Sequence, residues 1–446
     1  MDPFLIGLIG TILLFVLLAI GIHIGIALTL SGFLGIALVT GFEPAIKLCV
    51  TGFFHKISGP ALIICPLFIL MGYLASGGGI SSSLYKSLSL WLGRFRGGLG
   101  IATVFGCTAF GTVCGSSLVT TAVFAKTCAP EMRRHGYDKK LAYAICASAG
   151  SIGMLIPPSV LGIVYGMLSG ESIGKVLMAG VAPGLIWAFF FSLTIVIIGK
   201  LDPSSISTPA TPVVVSWRER LHSIVVWWPI LLVAIITFGG IYGGVFTPSE
   251  AAAVAAFILI IAFLFLRVFS QRGPKRSAAW RELRTMLLDT GTTSAMVFLV
   301  MGAATIFADF IVLTGMTTEF SNFIGRMNLS QLSLVILFSF VYLILGCFLD
   351  SISMLCITIP LFNPIIKAAG VDPIWYATIV IVSVEIGLIT PPVGLNLYGA
   401  KGVAEPDVTL EDIIRGIIPF LIAELISLTI FYAFPILSTF LPSFLG

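Results

Sequence analysis

The chain has 446 residues, of which 58% are hydrophobic and only 10% charged, and its mean hydropathy is +1.11. A soluble domain carries about 25% charged residues, so this composition excludes a protein that folds in water and predicts an all-α membrane protein embedded in a lipid bilayer. The net charge of +4 indicates no nucleic-acid partner, because Lys and Arg in such a chain are explained by its orientation in the membrane.

Apolar stretches long enough to cross about 30 Å of hydrocarbon recur along the whole sequence. In chain order, eight predicted spans cover residues 4–22, 24–40, 57–75, 178–199, 224–243, 251–269, 287–313 and 413–437. Four further segments are too long for one simple crossing and carry Gly, Ser and Pro near their middles. They cover residues 97–127, 141–168, 329–362 and 375–400.

Basic residues decide which of these four segments cross the membrane, because Lys and Arg in short loops stay in the cytoplasm. If 97–127 and 329–362 are re-entrant hairpins while 141–168 and 375–400 cross, all but five of the 24 Lys and Arg residues lie inside. A crossing by the first segment would instead put two neighbouring basic clusters on opposite faces. The charge pattern therefore predicts two hairpins, two broken helices, and both chain termini outside.

A displacement of 234 positions aligns the sequence with itself and reveals an internal repeat. Nine identities fall within 42 ungapped positions, and most of them are Gly, Pro, Ser or Asp. Five crossings separate the two hairpins, an odd number, so the halves 1–222 and 223–446 are predicted to be inverted repeats. Inverted halves with helices broken at matching positions point to a transport site near the membrane midplane. The matched prolines at these breaks are Pro157 with Pro391 and Pro158 with Pro392.

Each half has two predicted breaks: a hairpin tip, at 111–117 or 346–351, and a Pro-Pro interruption, at 150–158 or 384–392. Proline removes an N–H donor and frees carbonyl oxygens upstream. At membrane depth such backbone survives where it is buried in protein or lines a cavity. Its oxygens suit Na⁺, whereas the N-terminal ends of half-helices suit a carboxylate. A plain kink between packed helices is the competing interpretation.

Ionisable residues within the spans are costly and are therefore candidates for function. Asp350 lies at the second tip, where a cation-linked or substrate-linked role is favoured. Glu385 lies on the second break and is equally consistent with a binding site or a solvated helix end; Asn396 is consistent with a cavity or an interhelical hydrogen bond. Packing or interfacial pairing is preferred for Asp289, Asp309 and Glu424.

Five stretches carry a resemblance to a known family: 114–120, 130–138, 150–159, 239–251 and 386–396. Taken together they resemble the large membrane subunit of tripartite ATP-independent periplasmic (TRAP) transporters, within the ion transporter superfamily, and the resemblance covers essentially the whole chain. It implies an elevator-type secondary transporter in the bacterial inner membrane. Such an importer is coupled to Na⁺ and takes up organic anions, namely C4-dicarboxylates or sugar acids such as sialate.

The resemblance also implies partners and binding residues. The partners are a periplasmic substrate-binding protein and a small four-helix membrane subunit, which is expected as a separate polypeptide because the chain begins directly at its first helix. The implied Na⁺ ligands are Ser116, Ser117, Gly150, Ser151 and Gly153 in the first half, and Asp350, Ser351, Glu385, Gly387 and Thr390 in the second. The implied contacts to a carboxylate-bearing substrate are Ser117, Ser159, Asp350 and Asn396.

Other classes of function remain as alternatives. A self-sufficient anion symporter of the same superfamily would need no binding protein. An intramembrane enzyme is disfavoured because the sequence contains no HExxH or GxSxG motif. A channel is disfavoured because an inverted repeat with two breaks in each half suits alternating access better than a continuous pore.

Overall fold

The structure is a computed structural model that describes residues 2–77, 80–206, 216–225, 227–269, 274–327 and 329–444. Within these ranges the chain is helical, and the β-structure consists of a single isolated bridge between Tyr137 and Ile206. The predicted all-α class is therefore confirmed.

The N-terminal region contains two helices that the hydropathy did not predict. Its helices are α1 (Pro3–Ala19), α2 (Ile24–Thr40), α3 (Phe42–Ile57), α4 (Ile64–Gly77) and α5 (Ile80–Leu92). The sequence of α3 carries Glu43, Lys47 and Lys56, and that of α5 is rich in Ser, so neither is an uninterrupted apolar run. The span predicted over 57–75 begins instead at α4, after a 3₁₀ turn at Pro60–Ile63.

Two interruptions divide the next part of the chain. Its helices are α6 (Gly98–Cys114), α7 (Ser117–Thr127), α8 (Ala129–Arg134), α9 (Lys139–Ser151) and α10 (Val160–Ser169). The first interruption is the turn between α6 and α7, where Gly115 has a φ of +63°. This is the left-handed region that favours glycine, because a Cβ is strained there. The second follows α9, where a 3₁₀ turn at Ile152–Met154 leads into Pro157 and Pro158.

A long helix dominates the middle of the chain. The helices here are α11 (Ile173–Ala179), α12 (Val181–Leu201), α13 (Trp217–Val225), α14 (Trp228–Ala234), α15 (Gly240–Tyr242), α16 (Pro248–Phe263) and α17 (Pro274–Leu313). π-Helical turns at Ile235–Gly239 and Leu264–Phe269 follow α14 and α16. The 40 residues of α17 extend the predicted span 287–313 by about three turns at its polar N-terminal end.

The C-terminal region has the same succession of interruptions as the region of α6 to α10. Its helices are α18 (Met316–Arg326), α19 (Gln331–Gly346), α20 (Ser351–Ala368), α21 (Pro373–Ile389), α22 (Leu395–Gly402), α23 (Leu410–Ala433) and α24 (Ile436–Thr439), followed by a 3₁₀ turn at Leu441–Phe444. A turn separates α19 from α20, and a segment containing Pro391 and Pro392 separates α21 from α22. The inversion of one half relative to the other stays a prediction.

The helices pack as two groups. In one, α17 packs against α2, α3 and α4; in the other, α9 packs against α6, α7 and α23, and α21 against α19. The groups meet where α4 contacts α6 and α10, and where α17 contacts α20. The interrupted helices thus lie in the second group, and one of its surfaces faces α4 and α17.

The exterior is apolar. Among the described residues, five helices are long and apolar enough to cross a bilayer, and two bent helix pairs raise that number to as many as seven. Large side chains such as Ile12, Phe189 and Ile422 are more than half exposed. Because exposed apolar surface on this scale is favourable against lipid and costly against water, the chain is a multi-pass integral membrane protein.

Candidate functional site

The first hairpin tip lies directly against the first Pro-Pro break. A Cβ placed on Gly111 of α6 would lie 2.7 Å from the Cα of Gly153, so the two backbones approach without side chains between them. The N–H of Val160 donates to the carbonyl oxygen of Gly115 at 3.3 Å. The Pro157–Pro158 peptide bond is cis. The tip and the break of the first half therefore form one backbone contact.

The second tip and the second break meet in the same way. A Cβ on Gly346 would lie 2.6 Å from the Cα of Gly387, and the N–H of Gly394 donates to the carbonyl oxygen of Cys347 at 3.4 Å. The Pro391–Pro392 bond is also cis. Residues 150–158 and 384–392, which the sequence assigned to the breaks, thus lie beside the tips that it predicted.

Three of the predicted site residues cap helices at these breaks. Ser116 Oγ accepts from the N–H of Val119 at the start of α7, and Ser159 Oγ accepts from the N–H of Gly162 at the start of α10. Asp350 caps α20: its Oδ2 accepts from the N–H groups of Ile352 and Ser353, each at 3.1 Å, and its Oδ1 accepts from the Ser353 hydroxyl. Asp350 therefore has a structural role besides the predicted one.

Glu385 contacts the first half of the chain, whereas the resemblance implied a contact within the second half. The expectation paired it with Asp350 and Ser351 at the second tip. Instead, the hydroxyl of Ser117, at the first tip, donates to Glu385 Oε1 at 3.3 Å, and both side chains are buried. Because Glu385 is fully buried in α21, the interpretation as a solvated helix end is wrong.

Glu424 is a site candidate that sequence reasoning missed. It lies in the middle of α23 and is fully buried. The hydroxyl of Ser151, the last residue of α9, lies 3.2 Å from its Oε1 and shares its hydrogen between this oxygen and the carbonyl of Ser148 at 2.5 Å. Of the two expectations for Glu424, interfacial pairing is therefore wrong, whereas packing agrees with its burial. Because α23 is outside the aligned repeat, only the presence of a carboxylate in an apolar run could have indicated it.

The remaining predicted residues line the breaks. Gly150 packs so closely on α7 that a Cβ would overlap the Oγ1 of Thr121. Thr390 donates its hydroxyl back to the carbonyl of Ile386 at 2.6 Å, and Ser351 is buried at the start of α20. Asn396, on α22, is fully buried, and within the described part of the chain neither atom of its amide has a hydrogen-bond partner.

A cavity of about 110 Å³ lies between the two groups of helices. Ser116 and Val160 of the first half and Ile352 of the second line it, and α4 and α17 contribute Tyr73 and Thr293, whose hydroxyl oxygens are 3.0 Å apart. No charged side chain is among its lining residues. The structure thus brings both tips to one small, mostly apolar space with a few hydroxyl groups.

An ion-pair network joins the loop before α23 to α8 and α9. Arg133 pairs with Glu405 and, at 2.7 Å, with Asp407, while the Lys139 ammonium donates to the carbonyl of Asp407. The N–H of Glu405 also donates to the hydroxyl of Tyr143 at 3.1 Å. The network connects the C-terminal half to the first half at one end of the molecule.

Replacement of Arg133 by Gln is expected to reduce thermal stability in a pH-dependent way. The hydrogen bond from Arg133 lowers the pKa of Asp407, so the pair stabilises the fold above the carboxyl's unfolded pKa of about 3.9. That stabilisation disappears as pH falls through the lower, folded-state pKa. The unfolding midpoint of the variant should therefore lie below that of the wild type at pH 7 and converge with it in acid.

The matched control for this measurement is Arg134→Gln, because Arg134 is mostly exposed and pairs with Glu131 at 3.6 Å. Its midpoint should follow the wild type at every pH. Equal midpoints for the Arg133 variant and the wild type at pH 7 would show that the network does not stabilise the fold.

Comparison with known proteins identifies relatives along the whole chain. The family described as "Tripartite ATP-independent periplasmic transporter, DctM component" matches residues 11–437. The C4-dicarboxylate TRAP transporter large permease protein DctM of Pseudomonas aeruginosa is 35% identical, with 94% of each chain covered. The ectoine/5-hydroxyectoine TRAP transporter large permease protein UehC of Ruegeria pomeroyi is 32% identical, with 96% of each covered.

A solved structure shares the fold. The YdaH transporter of Alcanivorax borkumensis has a TM-score of 0.63 to this chain at 17% sequence identity, with 89% of each chain covered. At that identity the similarity shows a common helical architecture.

Proposed function

Because this chain belongs to the family of the DctM component of tripartite ATP-independent periplasmic transporters and is a permease subunit rather than an enzyme, we propose that it performs Na⁺-coupled uptake of an organic anion. The observation that carries the proposal is the contact between a tip and a break, which occurs in both halves. Carbonyl, hydroxyl and carboxyl oxygens gather at these contacts, and hard cations prefer oxygen ligands.

We propose one Na⁺ at each contact. The first would be held by oxygens of Ser116, Ser117, Gly150, Ser151 and Gly153, and the second by those of Asp350, Ser351, Gly387 and Thr390. Supporting this assignment, Gly111 and Gly346 leave no side chain between each tip and its break, because a Cβ on either would lie within 2.7 Å of the Cα of Gly153 or Gly387.

The substrate is proposed to be a C4-dicarboxylate or a sugar acid that enters the cavity. One relative is named for C4-dicarboxylates and another for ectoine, and both kinds of molecule contain a carboxylate. With no charged residue lining the cavity, the carboxylate would be held by hydroxyl groups, by the starts of α7, α10 and α20, and by the bound Na⁺. Ser117, Ser159, Asp350 and Asn396 remain the proposed substrate contacts.

Thr293→Val tests the cavity as the substrate site. Valine has the shape of threonine but no hydroxyl, so the contact with the Tyr73 hydroxyl is lost. The loss of one hydrogen bond in the cavity should cost about 1 kcal/mol of substrate-binding free energy. The KM for substrate should therefore rise roughly fivefold, while the maximal uptake rate is retained. Thr292→Val is the control, because Thr292 is exposed on the same helix and its hydroxyl donates to the carbonyl of Leu288 in that helix. An unchanged KM in the Thr293 variant would place the substrate elsewhere.

Transport is proposed to follow an elevator mechanism, in which the helices around the tips and breaks move against those around α17. The proposed partners are a periplasmic substrate-binding protein and a small four-helix membrane subunit. The proposed location is the bacterial inner membrane, with both termini in the periplasm. Supporting this division of the molecule, α17 packs against α2, α3 and α4, and residues of both helix groups line the cavity.

Uptake into proteoliposomes tests the proposal. The chain, its small membrane subunit and the binding protein are combined with radiolabelled succinate or sialate, under an inward gradient of Na⁺ or of choline. Accumulation is expected only with Na⁺ and only when the binding protein is present. Uptake without the binding protein would favour a self-sufficient symporter, and single-channel current from the purified complex would refute a transporter.

A further inference from the structure

Two carboxylates are buried together behind the first hairpin tip. We call this group the buried carboxylate cluster: it consists of Glu385 on α21, Glu424 on α23, Ser117 on α7, and Ser148 and Ser151 on α9, all of them buried. Helix α9 packs against α7, α21 and α23, and α21 packs against α23, which brings the two carboxyl groups to the same region of the molecule. The cluster thus combines residues from both halves of the chain.

The hydrogen bonds within the cluster are incomplete. Each carboxylate has one oxygen that accepts from a serine, Ser117 or Ser151, while Oε2 of Glu385 and Oε2 of Glu424 have no partner within the described residues. Among those same residues, no Lys, Arg or His forms an ion pair with either carboxylate. The cluster therefore holds two buried carboxyl groups that have no cationic partner in the described part of the chain.

Ser148 is an independent indication of a missing ligand. It lies three residues before Ser151, so the two hydroxyls share one face of α9. The Ser148 hydroxyl is fully buried and has no partner in the described chain, although buried polar groups are nearly always satisfied. Three unsatisfied oxygens, from Ser148, Glu385 and Glu424, therefore belong to one cluster.

We propose that the buried carboxylate cluster is a monovalent cation site, with Na⁺ as its ligand and Glu424 as a coordinating residue. Burying an unpaired carboxylate is costly, and a bound cation removes that cost and satisfies the free oxygens together. The donors are all oxygens, as a hard cation requires. This site lies beside the first of the two proposed at the tips and shares Ser117 and Ser151 with it, and its coupling to uptake rests on the proposed Na⁺-driven transport.

Glu424→Gln separates a cation site from a packing role. The substitution keeps the shape of the side chain and removes its charge. Without Na⁺ the variant should be at least as stable as the wild type, because no charge is buried at that position. When NaCl replaces choline chloride, the unfolding temperature of the wild-type complex with its small subunit should rise, and the half-saturating Na⁺ concentration should be at least roughly tenfold higher in the variant.

Glu411→Gln is the control on the same helix, because Glu411 is exposed and pairs with Arg415; it should behave as wild type. Ser148→Ala, which removes a neutral ligand that belongs to neither tip site, provides a second variant if the first does not fold, and it should also raise the half-saturating Na⁺ concentration. A Na⁺ response in Glu424→Gln equal to that of the wild type would overturn the proposal, as would a wild-type response to Ca²⁺ but not to Na⁺. Wild-type stabilisation by Na⁺ without Na⁺-driven uptake would refute the coupling and leave the site intact.

Discussion

Asp350→Asn is expected to reduce Na⁺-driven uptake at least tenfold with little change in stability. Asparagine caps a helix as well as aspartate does, so it can still accept the N–H groups of Ile352 and Ser353 at the start of α20. What it lacks is the negative charge that the proposed second Na⁺ needs, and loss of a cation-linked group typically costs 10–100-fold in affinity. The measurement is initial uptake against Na⁺ concentration, together with the unfolding temperature.

Asp372→Asn is the matched control for this experiment. Asp372 caps α21 with the same geometry, accepting from Ile374 and Trp375, but it lies at the opposite end of that helix from the break. Its Na⁺ dependence should be that of the wild type. Asp350→Ala should lose uptake and, in addition, about 1 kcal/mol of stability, because it also removes the cap. Full uptake in Asp350→Asn would show that Asp350 serves as a helix cap and does not bind Na⁺.

Gly387→Ala is expected to abolish most uptake by separating the second tip from its break. The added methyl group would lie 2.7 Å from the Cα of Gly346, where the neighbouring atoms are backbone and cannot rotate away. Overpacking of this kind costs about 1–3 kcal/mol. The oxygens of α21 would be displaced from those of the tip, so both the Na⁺ affinity and the unfolding temperature should fall. Uptake and thermal unfolding of the purified complex measure the two effects.

Gly291→Ala controls for the loss of a glycine as such. Gly291 lies inside α17 with open space where a Cβ would be, so alanine should stabilise that helix by about 0.5–1 kcal/mol and leave uptake unchanged. Gly346→Ala should reproduce the defect of the Gly387 variant from the other side of the same contact. Normal uptake in both contact variants would show that the tip and the break need not touch.

The breaks could be predicted from the sequence because the residues that form them have local effects. Adjacent prolines remove two N–H donors and disfavour helix, and the structure interrupts the helices at Pro157–Pro158 and Pro391–Pro392. Gly115 likewise forms a turn through its own left-handed backbone conformation. The apolar spans could be predicted because they too depend on local composition. Their predicted ends differ by several residues from those of the observed helices.

What the sequence left undetermined depends on contacts between distant segments. The partner of Glu385 is Ser117, 268 positions away, and no local pattern distinguishes it from the second tip. In the sequence, Glu424 resembles other isolated acidic residues. It becomes a site candidate only because α9 packs against α23. Likewise, Tyr73 and Thr293 have ordinary neighbours in sequence and gain significance only because α4 and α17 border the cavity. Helix α3 was missed because its charged residues interrupt the apolar run.

Two adjacent hydroxyls at the first tip have opposite polarity. Ser117 donates its single hydrogen to Glu385, so only lone pairs remain, and these attract positive charge. Ser116 accepts from the N–H of Val119 and keeps its own hydrogen, which is available to a negatively charged group in the cavity that it lines. One turn of backbone therefore presents lone pairs on one side and a hydroxyl hydrogen on the other, so the proposed Na⁺ is expected behind the tip and the proposed carboxylate in front of it.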